Sequence, residues 1–538
     1  MTSTILLPER AQWAPGAPVG IEVRGDRSPG TVRVRRLGNQ VAEIGYLGEA
    51  VITLPALDEG GYGVELERDG TVVSRTAIDV RADPAARMRY GFVAAYPPSG
   101  DGSGIAETVR RLHLTAVQCY DWAYRHADLL GGGDEYRDAL DQPISLETVR
   151  RTVAAIRGVG AAALGYAAVY AVGPAEWDRW QHDALLDATG APYALGDFLF
   201  IVDPASPDWL EHFVADLVAA RDAVGFDGFH LDQYGYPKRA LRADGELVDV
   251  AESFTTSINT IRRSLPNARL VFNQVNDFPT WRTADAAQDA IYIEPWAPQT
   301  TLGALAATVD RARALADDRP VVLAAYHHVY DTAEAADADR ALRLTMAVLH
   351  SHGATQLLAG EADRILVDPY YVRNLVAADS TADVLRRWYD FLVEHDEVLM
   401  DPRLADVTAA VAGDYNDDCD VRFPSHEVGG EAAAGTVYRR ITGVGGRLIV
   451  HLVNLVGQEE SGWDTAKSPI PAIDGGRLRV RVTGDRAPRV RVADPDGSGR
   501  MEDQVVSVDG THADIALPAL RAWQVVVIDL DGADEERP

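Results

Sequence analysis

Two carboxylates stand at the ends of two predicted β-strands, where acid–base or nucleophilic chemistry could take place. Asp232 follows the apolar stretch of Asp227-Gly-Phe-His-Leu-Asp-Gln-Tyr-Gly235, and Glu294 follows that of Ala290-Ile-Tyr-Ile-Glu-Pro-Trp296. Two carboxyl groups about 5–5.5 Å apart can cleave a glycosidic bond with retention, one as nucleophile and the other as acid and base. Carboxylates at strand ends also form structural ion pairs, so the pattern alone leaves both interpretations open.

Side-chain alternation predicts which neighbours these carboxylates have. His230 shares the face of Asp232, and Tyr292 shares the face of Glu294, while the apolar residues between them face the other way. The aromatic setting of Glu294, between Tyr292 and Trp296, predicts the raised pKa that a catalytic acid requires. The polar neighbours of Asp232 predict that its carboxylate stays ionised.

The elements that must position these residues follow from a change of pattern along the chain. Between residues 88 and 398, short apolar runs alternate with amphipathic helical stretches. The candidate strands lie at residues 90–96, 115–120, 162–170, 228–233, 270–275, 290–296, 321–326 and 354–359. Eight strand-then-helix units predict a central (β/α)8 TIM barrel, whose functional residues lie at the carboxyl ends of the strands. Counting cannot prove closure, so a doubly wound open sheet is the alternative.

The two ends of the chain have a different pattern, in which apolar and polar residues alternate between close-set turns. Thr31-Val-Arg-Val-Arg-Arg36 and Arg447-Leu-Ile-Val-His-Leu-Val453 are examples. This alternation predicts an N-terminal immunoglobulin-like β-sandwich over residues 1–87 and a C-terminal antiparallel β-sandwich over residues 399–533. The catalytic barrel then occupies residues 88–398, and residues 534–538 are predicted to be a frayed tail.

The composition excludes several classes of partner. Arg and Lys number 51 against 81 Asp and Glu, which gives a formal net charge of −30. Such a surface repels phosphate backbones and anionic lipids, so we expect neither nucleic acid nor a membrane as a partner. The hydrophobic share of 47% is typical of a globular chain. We expect a monomer or a dimer.

The sequence predicts neither a metal nor a cofactor. His327 and His328 are adjacent, so they point to opposite faces of a strand and cannot form the His-x-His pair of a metal-binding barrel. Gly100-Asp-Gly-Ser-Gly104 lacks the third glycine of a dinucleotide-binding turn. The N-terminus has no cationic start before an apolar run, which predicts a cytoplasmic location, or secretion if a leader has been removed.

The sequence resembles glycoside hydrolase family 66, which contains dextranases and cycloisomaltooligosaccharide glucanotransferases. The resemblance extends from about residue 90 to residue 374, and it is carried by Gln118-Cys-Tyr-Asp-Trp-Ala-Tyr-Arg-His126, Gly228-Phe-His-Leu-Asp-Gln-Tyr-Gly235, Phe272-Asn-Gln-Val-Asn276, Tyr292-Ile-Glu-Pro-Trp296, Gly360-Glu361 and Tyr370-Tyr-Val-Arg-Asn374. It implies a retaining, dextranase-like endo-α-1,6-glucanase with Asp232 as nucleophile and Glu294 as acid/base. It also implies a carbohydrate substrate, an α-1,6-glucan or an isomaltooligosaccharide.

Two other functions remain open. Circularising members of the family carry a carbohydrate-binding module inserted in the barrel, and no such insert is found here, which makes shorter isomaltooligosaccharides candidate substrates. A transglycosylase would use the same two carboxylates with a sugar hydroxyl in place of water, and would form cyclic or elongated isomaltooligosaccharides. A non-catalytic sugar-binding protein would bind the same sugars without cleaving them.

Aromatic and polar side chains near the predicted strand ends are candidates for binding the sugar. Aromatic faces pack against the C–H surfaces of glucose, whereas carboxylates and amides bind its hydroxyl groups. Each of these side chains could equally belong to the core. The predicted substrate-binding residues are Tyr120, Asp121, Trp122, Tyr170, His230, Tyr234, Asn276, Trp296, Tyr326 and Glu361.

Overall fold

The structure of the protein is a computed structural model that describes residues 4–413, 415–482 and 487–530. It is β-rich and multidomain, with its largest sheet in the middle of the chain. The tail predicted at residues 534–538 lies outside the described residues, and the domain boundaries stay predictions. Across the described ranges, no helix combines the length and hydropathy needed to cross a lipid bilayer.

Parallel strands, numbered 1 to 8 in chain order, form the curled central sheet. They are Tyr90–Val93, Ala116–Cys119, Ala162–Ala168, Gly228–Asp232, Arg269–Val275, Ala290–Glu294, Val321–Leu323 and Ala354–Gln356. Each pairs with the next strand in the chain. After strand 8 the chain continues into Ala359–Gly360, where Gly360 pairs in parallel with Phe92 of strand 1. The sheet therefore returns to its first strand as in a barrel-like domain, and its sequential order differs from the reversed order of a doubly wound sheet.

Several of these strands end earlier than the sequence predicts. Strand 1 ends at Val93 and strand 7 at Leu323, three residues before the predicted ends at 96 and 326. Residues 324–326 stay buried although they lie beyond the strand. The prediction overshoots because apolar character reports burial, and buried residues at a strand's exit need not continue its pairing.

Helices connect the parallel strands, and further helices from residue 379 onward follow strand 8. The longer ones are Ser103–Arg111, Leu146–Gly158, Pro207–Val224, Val250–Ser264, Leu302–Leu315, Ala335–Ser351 and Asp379–Glu394; the short ones are Trp177–Trp180, Thr280–Thr283, Val329–Thr332, Asp396–Leu399 and Thr408–Val411. Local signals set their ends. Asp249 caps a helix by accepting a hydrogen bond from the amide of Ala251 at 3.2 Å, and Gly225 ends another with a left-handed φ of 91°.

Loops at the carboxyl ends of the strands carry extra short elements that enclose this end of the sheet. These are the strands Glu135–Arg137, Pro143–Ser145, Ala171–Val172, Ala194–Leu195, Leu199–Ile201, Arg239–Leu241, Leu247–Asp249, Arg364–Ile365 and Leu375–Val376, and the 3-10 turns Gln181–Asp183, Glu361–Asp363 and Tyr371–Arg373. The connection between strands 3 and 4 is the longest of these loops. It places Phe198 beside the ends of the parallel strands.

Two antiparallel sheets precede the central sheet and share one apolar core. One contains Ile5–Pro8, Val19–Arg24 and Val51–Leu54; the other contains Gly30–Arg36, Asn39–Tyr46, Gly60–Arg68 and Thr71–Val80. Ile21 of the first sheet and Val34 and Val64 of the second are buried in the same cluster. Alternating residues of each strand therefore face the space between the sheets, as the period-two pattern predicts.

Two more antiparallel sheets follow the central sheet. The larger contains Ala405–Asp406, Val437–Val444, Arg447–Asn454, Trp523–Asp529, Arg489–Ala493 and Glu502–Asp503, with Val428–Gly429 at one edge; the smaller contains Cys419–Arg422, Arg477–Arg481, His512–Ala516 and Val506–Asp509. Val450 and Val526 of the larger sheet and Leu478 and Ile515 of the smaller sheet are buried in one cluster.

A buried ionic cluster joins the N-terminal sheets to the central sheet. Asp79 accepts a hydrogen bond from Arg81 Nε at 2.9 Å and another from Arg89 Nη2 at 2.6 Å. Arg89 directly precedes strand 1, and only 2% of its surface is exposed. Burial of a guanidinium is tolerable here because a carboxylate neutralises it.

We expect Asp79→Ala to destabilise the protein by about 3–5 kcal/mol, because it leaves the buried charge of Arg89 unpaired. Chemical denaturation followed by tryptophan fluorescence measures the effect. The matched control is Glu43→Ala, which removes an exposed partner of Arg33 and should cost about 1 kcal/mol or less. Equal losses in the two variants would contradict the role assigned to Asp79.

Candidate active site

The carboxyl ends of the parallel strands border a cleft of about 240 Å³. Asp232, the last residue of strand 4, and Glu294, the last residue of strand 6, both line it. Asp232 is half-buried and Glu294 is buried. The two carboxylates singled out from the sequence therefore face one cavity.

Asn273 of strand 5 connects the two carboxyl groups. Its Nδ2 donates one hydrogen bond to Asp232 Oδ1 and another to Glu294 Oε2, both at 2.7 Å. Because both oxygens lie 2.7 Å from one nitrogen, they cannot be more than twice that distance apart. Strand 5 pairs with strand 4 on one side and strand 6 on the other, which is why its amide reaches both groups.

Asp232 has a second donor. The hydroxyl of Tyr166, on strand 3, donates to Asp232 Oδ2 at 2.7 Å. Burial raises the pKa of Asp232, whereas the hydrogen bonds from Asn273 and Tyr166 act to lower it. Both oxygens of the carboxylate thus accept a hydrogen bond, which stabilises the ionised form.

The pKa of Asp232 is raised overall, and Glu294 is the more buried of the two groups. Burial, followed by the nearby charge of Asp232, raises the pKa of Glu294 to about 8, although Asn273, Trp296 and Tyr326 oppose the shift through hydrogen bonds. At neutral pH the pair therefore holds one proton, on Glu294, and one negative charge, on Asp232. Such a pair can supply an acid and a nucleophile at the same time.

Aromatic rings form the floor of the cleft. His230 packs against Tyr292 with ring centroids 4.7 Å apart, and its Nδ1 lies 3.1 Å from the hydroxyl of Tyr90. Burial lowers the pKa of His230 to about 3, so the imidazole is neutral at physiological pH. The floor beneath the carboxylates therefore carries no charge from His230.

The side chain of Tyr371 contacts several residues of one wall of the cleft. Its hydroxyl lies 3.3 Å from the hydroxyls of Tyr292 and Tyr326 and 3.3 Å from Gln118 Oε1. Its ring stacks on Tyr120 with centroids 4.3 Å apart. Residues at or just after the ends of strands 2, 6 and 7 are thereby held in one network with the loop after strand 8.

Six of the predicted substrate-binding residues line the cleft, namely Tyr120, Asp121, His230, Tyr234, Trp296 and Tyr326. Trp296 lies at the rim with 42% of its surface exposed. Burial, together with the charges of Asp138 and Asp232, raises the pKa of Asp121. Aromatic surface and a third carboxyl group thus surround the pair.

Two predicted residues, Trp122 and Tyr170, are core residues instead. Trp122 is fully buried, and its Nε1 donates to the carbonyl of Tyr166 at 3.1 Å. The Tyr170 hydroxyl donates to the carbonyl of Tyr236 and accepts from the amide of Tyr234, both at 2.8 Å. Neither ring lines the cleft, because both are fully buried in the core, and a role of these two residues in binding substrate stays a prediction.

Asn276 and Glu361 also lie outside the cleft. Asn276 accepts from the amide of Trp296 at 3.2 Å and donates to the carbonyl of Ala297 at 3.0 Å, so it holds the loop after strand 6. Glu361 Oε2 accepts from the amides at positions 94 and 95 and faces a separate cavity. These side chains accept hydrogen bonds from backbone amides because, just after a strand ends, the amides no longer have a partner in the neighbouring strand.

The sequence interpretation missed three residues of the site, Asn273, Tyr166 and Tyr371. Asn273 lies in one of the segments that carry the family resemblance, where the strand-end Asn276 was preferred. Side-chain alternation could have identified Asn273. Its strand lies between the strands of Asp232 and Glu294, so an inward polar side chain near its end lies between the two carboxyl groups. Tyr371 lies in another of those segments, Tyr370-Tyr-Val-Arg-Asn374, and Tyr166 lies within the predicted strand at residues 162–170.

The C-terminal sheets brace the rim of the cleft. Trp463 Nε1 donates to the carbonyl of Gln299 at 2.8 Å, and the amide of Leu302 donates to the carbonyl of Ser461 at 2.8 Å. Asp464 accepts from the amide of Val329 at 2.9 Å. Residues 461–464, in a loop between two strands of the C-terminal sheets, therefore contact the loops after strands 6 and 7.

Two carboxyl groups joined by one amide, at the ends of parallel strands and beside aromatic rings, are the arrangement of a glycoside hydrolase-type enzyme. The family model described as glycosyl hydrolase family 66 matches residues 8–527. The chain belongs to that family.

Individual relatives are more distant. A cycloisomaltooligosaccharide glucanotransferase of Niallia circulans is 25% identical over 311 residues, which cover 52% of this chain and 32% of that protein. A dextranase of Streptococcus salivarius is 24% identical over 305 residues, covering 47% of this chain and 36% of the dextranase. The chain thus spans about a third of the length of the curated relatives it matches.

A solved structure has a similar fold. The crystal structure of a cycloisomaltooligosaccharide glucanotransferase from Paenibacillus sp., complexed with cycloisomaltoheptaose, superimposes with a TM-score of 0.87 at 20% sequence identity. The superposition covers 98% of this chain and 100% of that one. At this identity the likeness establishes a shared fold.

The shifted pKa of Glu294 should make stability depend on pH. Folded Glu294 keeps its proton to about pH 8, whereas an unfolded glutamate loses it near pH 4.5. Between these values the folded state holds the extra proton, so this group's contribution to stability decreases as pH rises. Glu294→Gln has no proton to lose, so its stability relative to the wild type should grow between pH 5 and pH 8, by about 2–4 kcal/mol.

Thermal melts of both proteins at pH 5 and pH 8 measure this difference. Glu43→Gln removes a glutamate that is half exposed and serves as the control, and the change between the two pH values is compared between the two variants. A Glu294→Gln protein whose advantage is the same at both pH values would contradict the raised pKa.

Proposed function

We propose that the protein is a retaining glycoside hydrolase that cleaves the α-1,6-glucosidic linkages of dextran or isomaltooligosaccharides. The observation that carries this proposal is the hydrogen bonding of Asp232 and Glu294 to one amide nitrogen, because it sets an upper limit on their separation that is compatible with a double displacement. Membership in family 66 and the named activities of its relatives support the choice of substrate. We also propose that the central sheet and its helices are a (β/α)8 TIM barrel between two β-sandwiches.

In the first half of the proposed reaction, Asp232 attacks the anomeric carbon and Glu294 protonates the departing oxygen. This forms a covalent glucosyl ester on Asp232 and leaves Glu294 ionised. In the second half, Glu294 removes a proton from water, and the water oxygen displaces Asp232 from the anomeric carbon. Glu294 recovers its proton, and the product keeps the α configuration.

The different surroundings of the two groups support these roles. The group that starts protonated is the one with the pKa raised to about 8, and the group that accepts two hydrogen bonds starts ionised. Once Asp232 is esterified its charge disappears. The pKa of Glu294 should then fall, which suits its change from acid to base.

The second candidate function is transglycosylation at the same site. It is favoured by the Niallia circulans relative and by the Paenibacillus sp. structure, both named glucanotransferases. A sugar hydroxyl would then replace water in the second half-reaction. Chromatography of the products formed from isomaltooligosaccharides distinguishes the two functions. Cyclic or elongated products would assign the protein as a transglycosylase instead of a hydrolase.

We expect Asp232→Asn and Glu294→Gln each to lower kcat/KM on dextran by about 10³-fold or more, because each removes one half of the displacement chemistry. Release of reducing ends measures the rate. The control is Asp227→Asn, at the other end of strand 4, where the carboxylate accepts from the backbone amide of Ala163. A Glu294→Gln enzyme with near-wild-type turnover would refute the assignment.

The pH profile provides a second test. Because the acid must be protonated, kcat/KM should decrease as pH rises through about 8, the value to which the pKa of Glu294 is raised. In Asn273→Ala this limb should move to higher pH, since the amide hydrogen bond lowers that pKa. Proton NMR of the first product should show the α-anomer, and a β-anomer would exclude the retaining route.

A further inference from the structure

A second cavity, of about 300 Å³, lies beside the catalytic cleft at the same end of the central sheet. Loops after strands 1, 2 and 8 line it, including Pro97, Gln142 and Arg364. The segments 140–142 and 370–374 separate it from the cleft, because each has residues that line the cleft and others that line the cavity. The two spaces are therefore neighbours across a thin wall.

Glu361 supplies a buried carboxylate to this cavity. Its Oε2 accepts hydrogen bonds from the amides of Ala94 at 3.2 Å and Ala95 at 3.3 Å, which fixes the side chain at the exit of strand 1. Within the described part of the chain, Oε1 has no hydrogen-bond partner. One acceptor oxygen thus remains available to a ligand.

Arg364 brings the opposite charge. Its Nη1 donates to Asn374 Oδ1 at 2.7 Å, and among residues 4–413, 415–482 and 487–530 it forms no ion pair with a carboxylate. The amide of Gln142 adds a further polar group, and Pro97, Pro143 and Val372 add apolar surface. One negative and one positive group in the same cavity favour a neutral ligand rich in hydroxyl groups over a phosphate or a cation.

We propose that this cavity binds a glucosyl unit of an α-1,6-glucan chain whose other units occupy the cleft, an inference that rests on the proposed function. Each sugar hydroxyl can donate to the Glu361 carboxylate or accept from the Arg364 guanidinium, and the apolar surfaces contact C–H groups of the ring. A 1,6-linkage contains an additional rotatable bond, so the chain can bend across the wall. The cavity then contributes to the binding of long substrates and not to that of short ones.

The test compares dextran with isomaltotriose as substrates. In Arg364→Ala, the ratio of kcat/KM for dextran to that for isomaltotriose should fall about tenfold, the effect of losing one hydrogen bond to a charged group. Gln142→Ala should lower the same ratio by a smaller factor and serves if Arg364→Ala does not fold. A ratio equal to that of the wild type in both variants would overturn the proposal, as would an equal loss on both substrates.

The matched control is Arg137→Ala. Arg137 lies on the strand Glu135–Arg137, which pairs with the strand that follows Gln142. Its side chain is 62% exposed, and it lines neither the cleft nor the second cavity. Its removal also deletes one positive charge, so a general electrostatic effect on substrate would appear in this variant. The ratio should stay at the wild-type value, and a tenfold decrease here would overturn the proposal.

Failure of the proposed function gives a different result. If the wild-type protein cleaves neither substrate, the hydrolase assignment fails. Calorimetry then measures the binding of isomaltohexaose to the wild type and to Arg364→Ala, which tests the second cavity as a sugar-binding site. Weaker binding in Arg364→Ala supports the site. No binding to the wild type, or equal binding to both proteins, overturns it.

Discussion

One nitrogen of the Asn273 amide donates to the half-buried carboxyl group of Asp232 and to the buried one of Glu294, and the properties of the cleft depend on this contact. Two carboxylates so close in a poorly solvated site cannot both be ionised at modest cost, so one proton stays with the pair. The hydrogen bond from Tyr166 stabilises the negative charge of Asp232, which favours Glu294 as the group that holds the proton. Burial then keeps the proton on Glu294.

This contact requires the neighbouring order of strands 4, 5 and 6. In a barrel-like sheet the inward side chains of alternate strands lie at similar heights, so Asp232 and Glu294 face each other across strand 5, and an amide on that middle strand can reach both. The rest of the molecule stabilises the rim around them. Asn276 fixes the loop that carries Trp296, the tyrosine network around Tyr371 fixes one wall, and Trp463 of the C-terminal unit holds the next turn of that loop.

The carboxyl pair alone does not distinguish hydrolysis from transfer, since water and a sugar hydroxyl enter at the same point and give up a proton to the same base. The distinction depends on how firmly the rim holds an acceptor sugar. Trp296 is the exposed aromatic residue beside Glu294, and its indole takes part in the hydrogen bonding of that carboxyl group. The rim and Glu294, the proposed acid/base, are therefore coupled through a single side chain.

By itself the sequence determined the order of strands and helices, the two carboxylates and their inward direction, because burial and alternation are local properties that a pattern records. It also indicated part of the aromatic lining. Only the tertiary structure decided that Asn273 joins the carboxyl groups, that Trp122 and Tyr170 are core residues, and that Glu361 faces a second cavity. These outcomes depend on which strands are neighbours and on how each chain segment turns after its strand ends, and neither is encoded in the spacing of residues along one segment.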